Sequence, residues 1–308
     1  MDGILVIAKP AGPTSHDVVA LVRRLSATRK VGHGGTLDPF ATGVLPVFLG
    51  AAARLVEYHL GDAKAYRATV CFGTTSTTDD LDGELTPIGG PGPTRAAVEA
   101  ALGTFRGPLV QRPPAYSAVI VGGRRAYALA RAGERPVLRD RKVTVERLEL
   151  VGWVDDDPER PIAVVQVECS AGTYIRALAR DLGMAVGSGA HLGALVRTAS
   201  GPFRIADAVD LETLRAAAAD GPDGLRAHLR PLDLGLESMA RIDLTEVEVG
   251  DLVQGRMVSP AAALPDVDDS APILMTTAGA RVIGVGHRRG SWLEPDKILV
   301  ERGAGDGR

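Results

Sequence analysis

The sequence predicts an α+β fold: a mixed β-sheet with flanking helices through about residue 230, then a small all-β module. Three observations carry this. In the first part, apolar runs of strand length interleave with helix-spaced ones, without a regular βα repeat. From about Met239 short apolar runs alternate with Gly, Pro and Asp turns. A chain of 308 residues, 45% hydrophobic and 24% charged, can bury a full core and is ordinary for a globular protein. The expected division is a first domain over 1–233 and a second over 239–302, with a disordered tail at 303–308.

The elements follow in order. Residues 4–7 are an apolar strand, and the prolines and glycine of 9–13 a turn. Ser15 is placed to cap a helix whose apolar face is Val18, Val19, Leu21, Val22 and Leu25, with Arg23, Arg24, Arg29 and Lys30 on its other face and at its end. Residues 43–50 are a short strand and 51–60 a helical stretch. Residues 64–73 alternate as a strand with one polar face, and 74–83 is a polar loop. A helix at 95–102 precedes 110–119, which reads as extended because each proline restricts the residue before it. Residues 127–133 form a small helix closed by Gly133. Strands at 143–151 and 162–169 flank an acidic hairpin. Residues 173–176 lead into a helix reaching Met184, a glycine-rich stretch spans 187–193, and 195–198 is extended again. After a helix at 211–219, the runs at 273–275, 281–286 and 297–300 belong to the second module.

Several function classes drop out. No apolar run approaches the roughly 20 residues that cross a bilayer, and the amino terminus lacks the basic start of a signal peptide. Cys71 and Cys169 each sit in an apolar run, which suits small buried hydrophobes rather than a disulfide framework or a zinc site. The expectation is a cytoplasmic, metal-free protein. Its net charge of −3 hides a segregation: residues 106–147 hold ten Lys/Arg against three acids, a net of +7. A surface that meets phosphates has that footprint, and so does a solvated face with chance clustering.

The densest chemistry lies in Gly32-His33-Gly34-Gly35-Thr36-Leu37-Asp38-Pro39-Phe40-Ala41-Thr42-Gly43. Glycines let the backbone approach a ligand closely, and a carboxylate before proline is held rather than swinging free. Asp38 therefore reads either as a presented nucleophile or base, or as a turn residue. The GxGxxG spacing of a dinucleotide site and the Gly-Lys-Ser/Thr ending of a P-loop are both missing. Asp79, Asp80 and Asp82 lack the glycine and closing glutamate of a calcium loop and read as a polar turn.

Five segments in this order, Lys9-Pro10, residues 32–43, Lys64-Ala65-Tyr66, Gly172-Thr173-Tyr174-Ile175-Arg176 and Leu195-Val196-Arg197, resemble the bacterial tRNA pseudouridine-55 synthases, the TruB family. The likeness covers nearly all of residues 1–230, and the C-terminal module loosely resembles a PUA RNA-binding domain. The resemblance implies a pseudouridine-synthase-like catalytic domain that isomerises uridine 55 in the T-loop of tRNA to its C-glycoside, without metal or organic cofactor. Asp38 falls on the family's catalytic aspartate, Arg176 on the arginine that pairs with it, and Tyr66 on the tyrosine that stacks on the target base and takes or helps remove its C5 proton. Tyr174 supports the aromatic wall; two residues before Arg176 in an extended segment, its side chain should leave from the same face. Leu195 lies on the other side of the base, and His33 fills the space the flipped base leaves. Lys9 supports the loop or touches phosphate. Arg124 and Arg125 belong to a basic thumb-like insertion, about 106–147, that closes over the T-arm.

Two positions depart from the family pattern, Ile120 where a lysine is usual and Thr77 where an acid is common. The implied partner is the T-arm of tRNA, with no obligate protein partner, no membrane, a monomeric state and a possible role in tRNA folding. Competing classes are an RNA-folding factor without catalysis, a guide-RNA-dependent synthase of the related archaeal and eukaryotic branch, and a phosphotransferase, which lacks its P-loop and metal-ligand pairs.

Overall fold

Strand β1 (Gly3–Lys9) is buried on both faces: Leu5 and Ile7 join one apolar cluster, Ile4 and Val6 another. The computed structural model describes residues 1–300, so the tail at 303–308 lies outside the described residues. In chain order β1 is followed by α1 (Ser15–Ser26), β2 (Val31–His33), β3 (Thr42–Leu49), a 3-10 turn (Gly50–Arg54), the single-turn α2 (Glu57–Leu60) and β4 (Lys64–Phe72). A small hairpin, β5 (Thr74–Ser76) and β6 (Leu85–Pro87), precedes α3 (Arg95–Leu102) and β7 (Gly107–Gln111). A second hairpin, β8 (Ile120–Val121) and β9 (Arg124–Arg125), leads into α4 (Ala126–Arg131). Then come β10 (Arg141–Val154), β11 (Ile162–Cys169), α5 (Ile175–Ala185), β12 (Ala190–Ser200), β13 (Phe203–Arg204), α6 (Leu211–Ala219) and α7 (Pro222–Arg226).

The main sheet runs β1-β3-β12-β4-β11-β10-β7, with β2 added to β3 and β13 to β12. Within this sheet only the strands β3 and β12 pair in parallel, at Val196↔Thr42 and Arg197↔Gly43, so the sheet is mixed, as the irregular order of apolar runs predicted. Helices α3 and α5 cover β4, β10, β11 and β12 through Val98, Leu102, Leu178 and Leu182. Helices α1 and α6 cover β1 and β3 through Val18, Val22, Leu214 and Ala217. The basic segment 106–147 begins one residue before β7 and ends inside β10, and these two strands pair from Arg141↔Gln111 to Val145↔Gly107. Residues 112–140 are what leaves the sheet.

Local structure departs from expectation in instructive ways. The cap of α1 is Thr14, not Ser15: Thr14 and Asp17 form a reciprocal capping box, which releases the Ser15 hydroxyl for another task. Helix α5 begins at Ile175, so Arg176 lies in a helical turn and the shared extended face expected for Tyr174 and Arg176 does not exist.

The C-terminal module contains β14 (Ala240–Leu244), α8 (Glu246–Val253), β15 (Ile273–Thr277), β16 (Val282–Arg289) and β17 (Trp292–Ile298). Its four strands form one sheet in chain order, and α8, capped by Thr245 and Glu248, accompanies it. The module packs on the main domain through Leu55, Leu236, Leu274, Val282 and Val285, with Tyr58 at the edge. Around that apolar contact Lys297 pairs with Glu57 and stands 4.4 Å above the Tyr58 ring, and Arg54 donates to the Ile298 carbonyl. No described helix is long and apolar enough to cross a membrane.

Candidate active site

The loop between β2 and β3 carries Asp38, and nearly every carbonyl from Gly35 to Ala41 is engaged. The Arg197 guanidinium donates to Gly35 O (3.1 Å) and Thr36 O (3.3 Å), and its Nε to Val44 O (2.7 Å). Ser15 Oγ donates to Leu37 O (3.2 Å) and accepts from Leu37 N (2.9 Å). Asp38 O takes the Ala41 N–H, and Pro39 O takes Gly12 N–H and Lys9 Nζ. Lys9 Nζ also donates to Pro10 O and Ala41 O, at 2.8 and 2.7 Å. Buried polar backbone must find partners, and here charged or hydroxyl side chains supply them. The loop is consequently fixed from below while Asp38 faces outward, its side chain 34% exposed.

Arg176, 5% exposed, is the hub on the other side. Its Nε and Nη2 meet Asp38 Oδ2 and Oδ1 at 3.0 and 3.2 Å, a bidentate fork. Nη1 reaches Asp80 Oδ2 (3.2 Å) and Thr78 O (3.0 Å), and Nη2 also reaches Tyr116 O (2.8 Å). One turn along α5, Arg180 pairs with Asp79 at 2.9 Å. Two of the three acids read from sequence as a polar turn, Asp79 and Asp80, are thus counter-ions of two arginines four residues apart on one helix face.

Burial pushes the Asp38 carboxyl above the usual carboxylate range, and Arg176 opposes this, while Asp80 and Asp82 add to it. Burial pulls the Lys9 ammonium down to about 8, against the pull of Asp38. The His33 imidazole is likewise lowered, by burial and then by His16 and Arg197. Its Nδ1 accepts from Gly35 N at 3.3 Å and its ring meets His16 edge-on at 5.5 Å.

Tyr66 lies on β4 directly opposite Arg197 on β12, and Leu195, two residues earlier, packs with Leu37, Phe40 and Tyr66 in one apolar cluster. Two residues apart on a strand, Leu195 and Arg197 point to one face. The structure thereby brings Asp38, Arg176, Tyr66, Leu195 and His33 around a single loop. Of the roles open to Lys9, its three carbonyl bonds and 1% exposure assign it to loop support. Tyr174 is set at the base of the 112–140 segment: Gln111 clamps its backbone at 2.8 and 3.0 Å and Arg141 stands 5.7 Å from its ring. Arg124 and Arg125 are exposed on the β8–β9 hairpin, Arg124 paired with Glu134 at 2.8 Å. Among the described residues no three His, Cys, Asp or Glu side chains converge as metal ligands do.

Ser15, Asp80, Arg197 and the Tyr116 carbonyl were not singled out as site residues from sequence. Ser15 and Asp80 resemble any cap and any turn acid, and a backbone carbonyl leaves no sequence signal. For Arg197 the signal was its place in the Leu195-Val196-Arg197 segment.

Comparison with known proteins places these residues in context. Residues 23–175 match the model of the TruB family pseudouridylate synthase N-terminal domain, and 176–237 that of the tRNA pseudouridylate synthase B C-terminal domain. The chain is 42% identical to the tRNA pseudouridine synthase B of Gluconacetobacter diazotrophicus over 97% of both chains. It is 45% identical to that of Symbiobacterium thermophilum over 85% of this chain and 84% of the other. Among solved structures, a chain of a Cbf5-Nop10-Gar1 complex superposes with a TM-score of 0.71 at 26% identity, over 97% of this chain and 85% of that one.

Proposed function

The chain belongs to the TruB family of pseudouridylate synthases, and from that premise we propose that it isomerises uridine 55 in the tRNA T-loop, with Asp38 as the reacting carboxylate. That it is a pseudouridine synthase acting on tRNA follows from relatives that share its full length. The position on the tRNA and the residue roles are the further step. The observation that carries them is the bidentate Arg176–Asp38 pair on a loop whose carbonyls are held from beneath.

A target uridine has to leave the helical stack to reach such a site. Tyr66 and Leu195 then line the two sides of the flipped base, and His33 stands at the rim where the base departed. The C1′–N1 bond breaks, the base turns, and C1′ bonds to C5. The electron pair of the broken bond stays with N1. The C5 proton passes to the Tyr66 phenolate, and the C–H pair restores the C5–C6 double bond. N1 takes up one proton from the resulting phenol or from solvent, so the isomerisation gains and loses no proton. Whether it meets sugar or base, Asp38 reacts as the carboxylate, and Arg176 favours that form by opposing the effect of burial. The exposed arginines of 112–140 supply phosphate contacts, and the C-terminal module a second RNA contact. The purified chain needs no guide RNA or protein partner in this reading.

The test is incubation of the purified chain with an unmodified tRNA transcript, followed by pseudouridine mapping. Isomerised uridine should appear at position 55. Asp38→Asn should lower turnover at least about 10⁴-fold while tRNA binding survives. Bound tRNA with no modified uridine in the T-loop would overturn the proposal.

A further inference from the structure

Arg197 is one of the most completely buried large side chains, 1% exposed, yet among the described residues it pairs with no carboxylate. Its three bonded acceptors are carbonyls: Val44 O on one side, Thr36 O and Gly35 O on the other. A guanidinium has five N–H groups in a rigid fork, so these three bonds fix its plane and leave two N–H groups over. Its backbone is equally fixed, packed against Gly43 so closely that a methyl group there would lie 2.2 Å from Arg197 O. Directly across the β12–β4 pair stands Tyr66. Directly opposed residues of an antiparallel pair project to the same face with their Cβ atoms about 5 Å apart.

We propose that Arg197 is a positioning residue for Tyr66: it holds the phenol oxygen against a buried, carboxylate-free guanidinium and so makes the proton-accepting form of Tyr66 accessible. The inference rests on the reading that Tyr66 takes the C5 proton. A phenol accepts a proton only as phenolate, and burial alone disfavours that form. The charged or titratable groups that bear on Tyr66 are Arg197 from β12, Cys169 from β11 and Asp38 from the loop. Burial raises the phenol, Arg197 opposes it, and Cys169 and Asp38 add to the rise. Cys169 is itself a neutral thiol, pushed up to about 11 by burial. Arg197 is therefore the cation that counters the cost of placing a negative oxygen here. A carboxylate partner would cancel that effect, whereas neutral carbonyls orient the guanidinium and leave its charge in place. The same bonds join the Tyr66 partner to the Asp38 loop, so base and carboxylate are set by one side chain.

The experiment compares wild type, Arg197→Met, Arg197→Lys and Tyr66→Phe as full chains. Phenolate absorbance is titrated in each of the first three, and the Tyr66→Phe trace is subtracted to isolate Tyr66. In Arg197→Met, Tyr66 should titrate about one pH unit higher or more, and turnover at neutral pH should fall about tenfold or more, in step with the lost phenolate. In Arg197→Lys, which keeps the charge, Tyr66 should titrate closer to wild type than in Arg197→Met. An unchanged Tyr66 titration in Arg197→Met overturns the proposal.

Should Arg197→Met not fold, a double-mutant cycle decides. Because Arg197 also holds the Asp38 loop, Arg197→Lys should cost turnover in both backgrounds, but clearly less in Tyr66→Phe than in wild type, and full additivity overturns the inference. Full turnover of Tyr66→Phe would instead refute Tyr66 as the base, while the titration still judges Arg197.

Discussion

In the proposed reaction Asp38 is the reacting carboxylate, and its neighbours set its charge and position. Burial lifts its protonation point and Arg176 pulls it back, while Asp80 acts in both directions, holding Arg176 in place and repelling Asp38. Because the proposed reaction needs the carboxylate, activity should be lost as pH falls through the raised value, and the acid limb reports it. Asp80→Asn removes a like charge, so the limb should move to lower pH. The maximal rate should still fall about 10- to 100-fold, because Arg176 loses an anchor. A single-turnover pH profile separates the two effects, and a limb that moves to higher pH would contradict the assignment. Asp38 and Arg176 were legible as a pair only through the family resemblance, since each lies in one of the segments that carry it. Asp80 was not, since three nearby acids in a polar stretch look the same whether solvated or buried against an arginine. What distinguishes it is 4% exposure, a property of packing alone.

At the scale of elements, the parallel contact between β3 and β12 is the hinge of the design. It brings Arg197 beneath the Asp38 loop and requires glycine at position 43. There φ is +106°, and a methyl group would lie 2.2 Å from Arg197 O and 2.7 Å from its N. Gly43→Ala should therefore destabilise the fold by about 3 kcal/mol or more. Gly250→Ala is the matched control: it lies within α8 with open space around its Cα, and should change stability by less than about 1 kcal/mol, in the stabilising direction. Denaturant midpoints of the two variants check both. Strands such as β1, β4 and β11 were readable because their period and composition suffice. Harder were the ends of α1 and α5, where Thr14 rather than Ser15 caps the helix and Arg176 enters the first turn. A hydroxyl's choice between capping its own helix and holding Leu37 depends on where a distant loop lies.

For the whole molecule, charge is the organising quantity. A net charge of −3 would repel RNA if spread evenly, but the 112–140 segment exposes Arg124 and Arg125, and the Arg124–Glu134 pair is a surface contact worth at most about 1 kcal/mol. Phosphate can displace such a partner readily. Arg124→Ala/Arg125→Ala should weaken tRNA binding at low salt and flatten the dependence of log affinity on log salt by about 1.5. A slope equal to wild type in titrations at several salt concentrations would remove these arginines from the interface. The C-terminal module is seated on the main domain through Leu55, Leu274 and Val285. By itself the sequence determined the α+β class, the strand-rich second module, and the set of motifs that carries the family likeness. Those are encoded in local period, composition and the spacing of side chains within short segments. Only the tertiary structure decided which polar groups are buried together. The register of β12 on β3 and β4 puts Arg197 beside both Tyr66 and the Asp38 loop. The start of α5 turns Arg176 toward Asp80, and Lys9 closes on carbonyls thirty residues away. Contacts of that kind depend on long-range pairing and the exclusion of water, neither of which leaves a periodic trace in the chain.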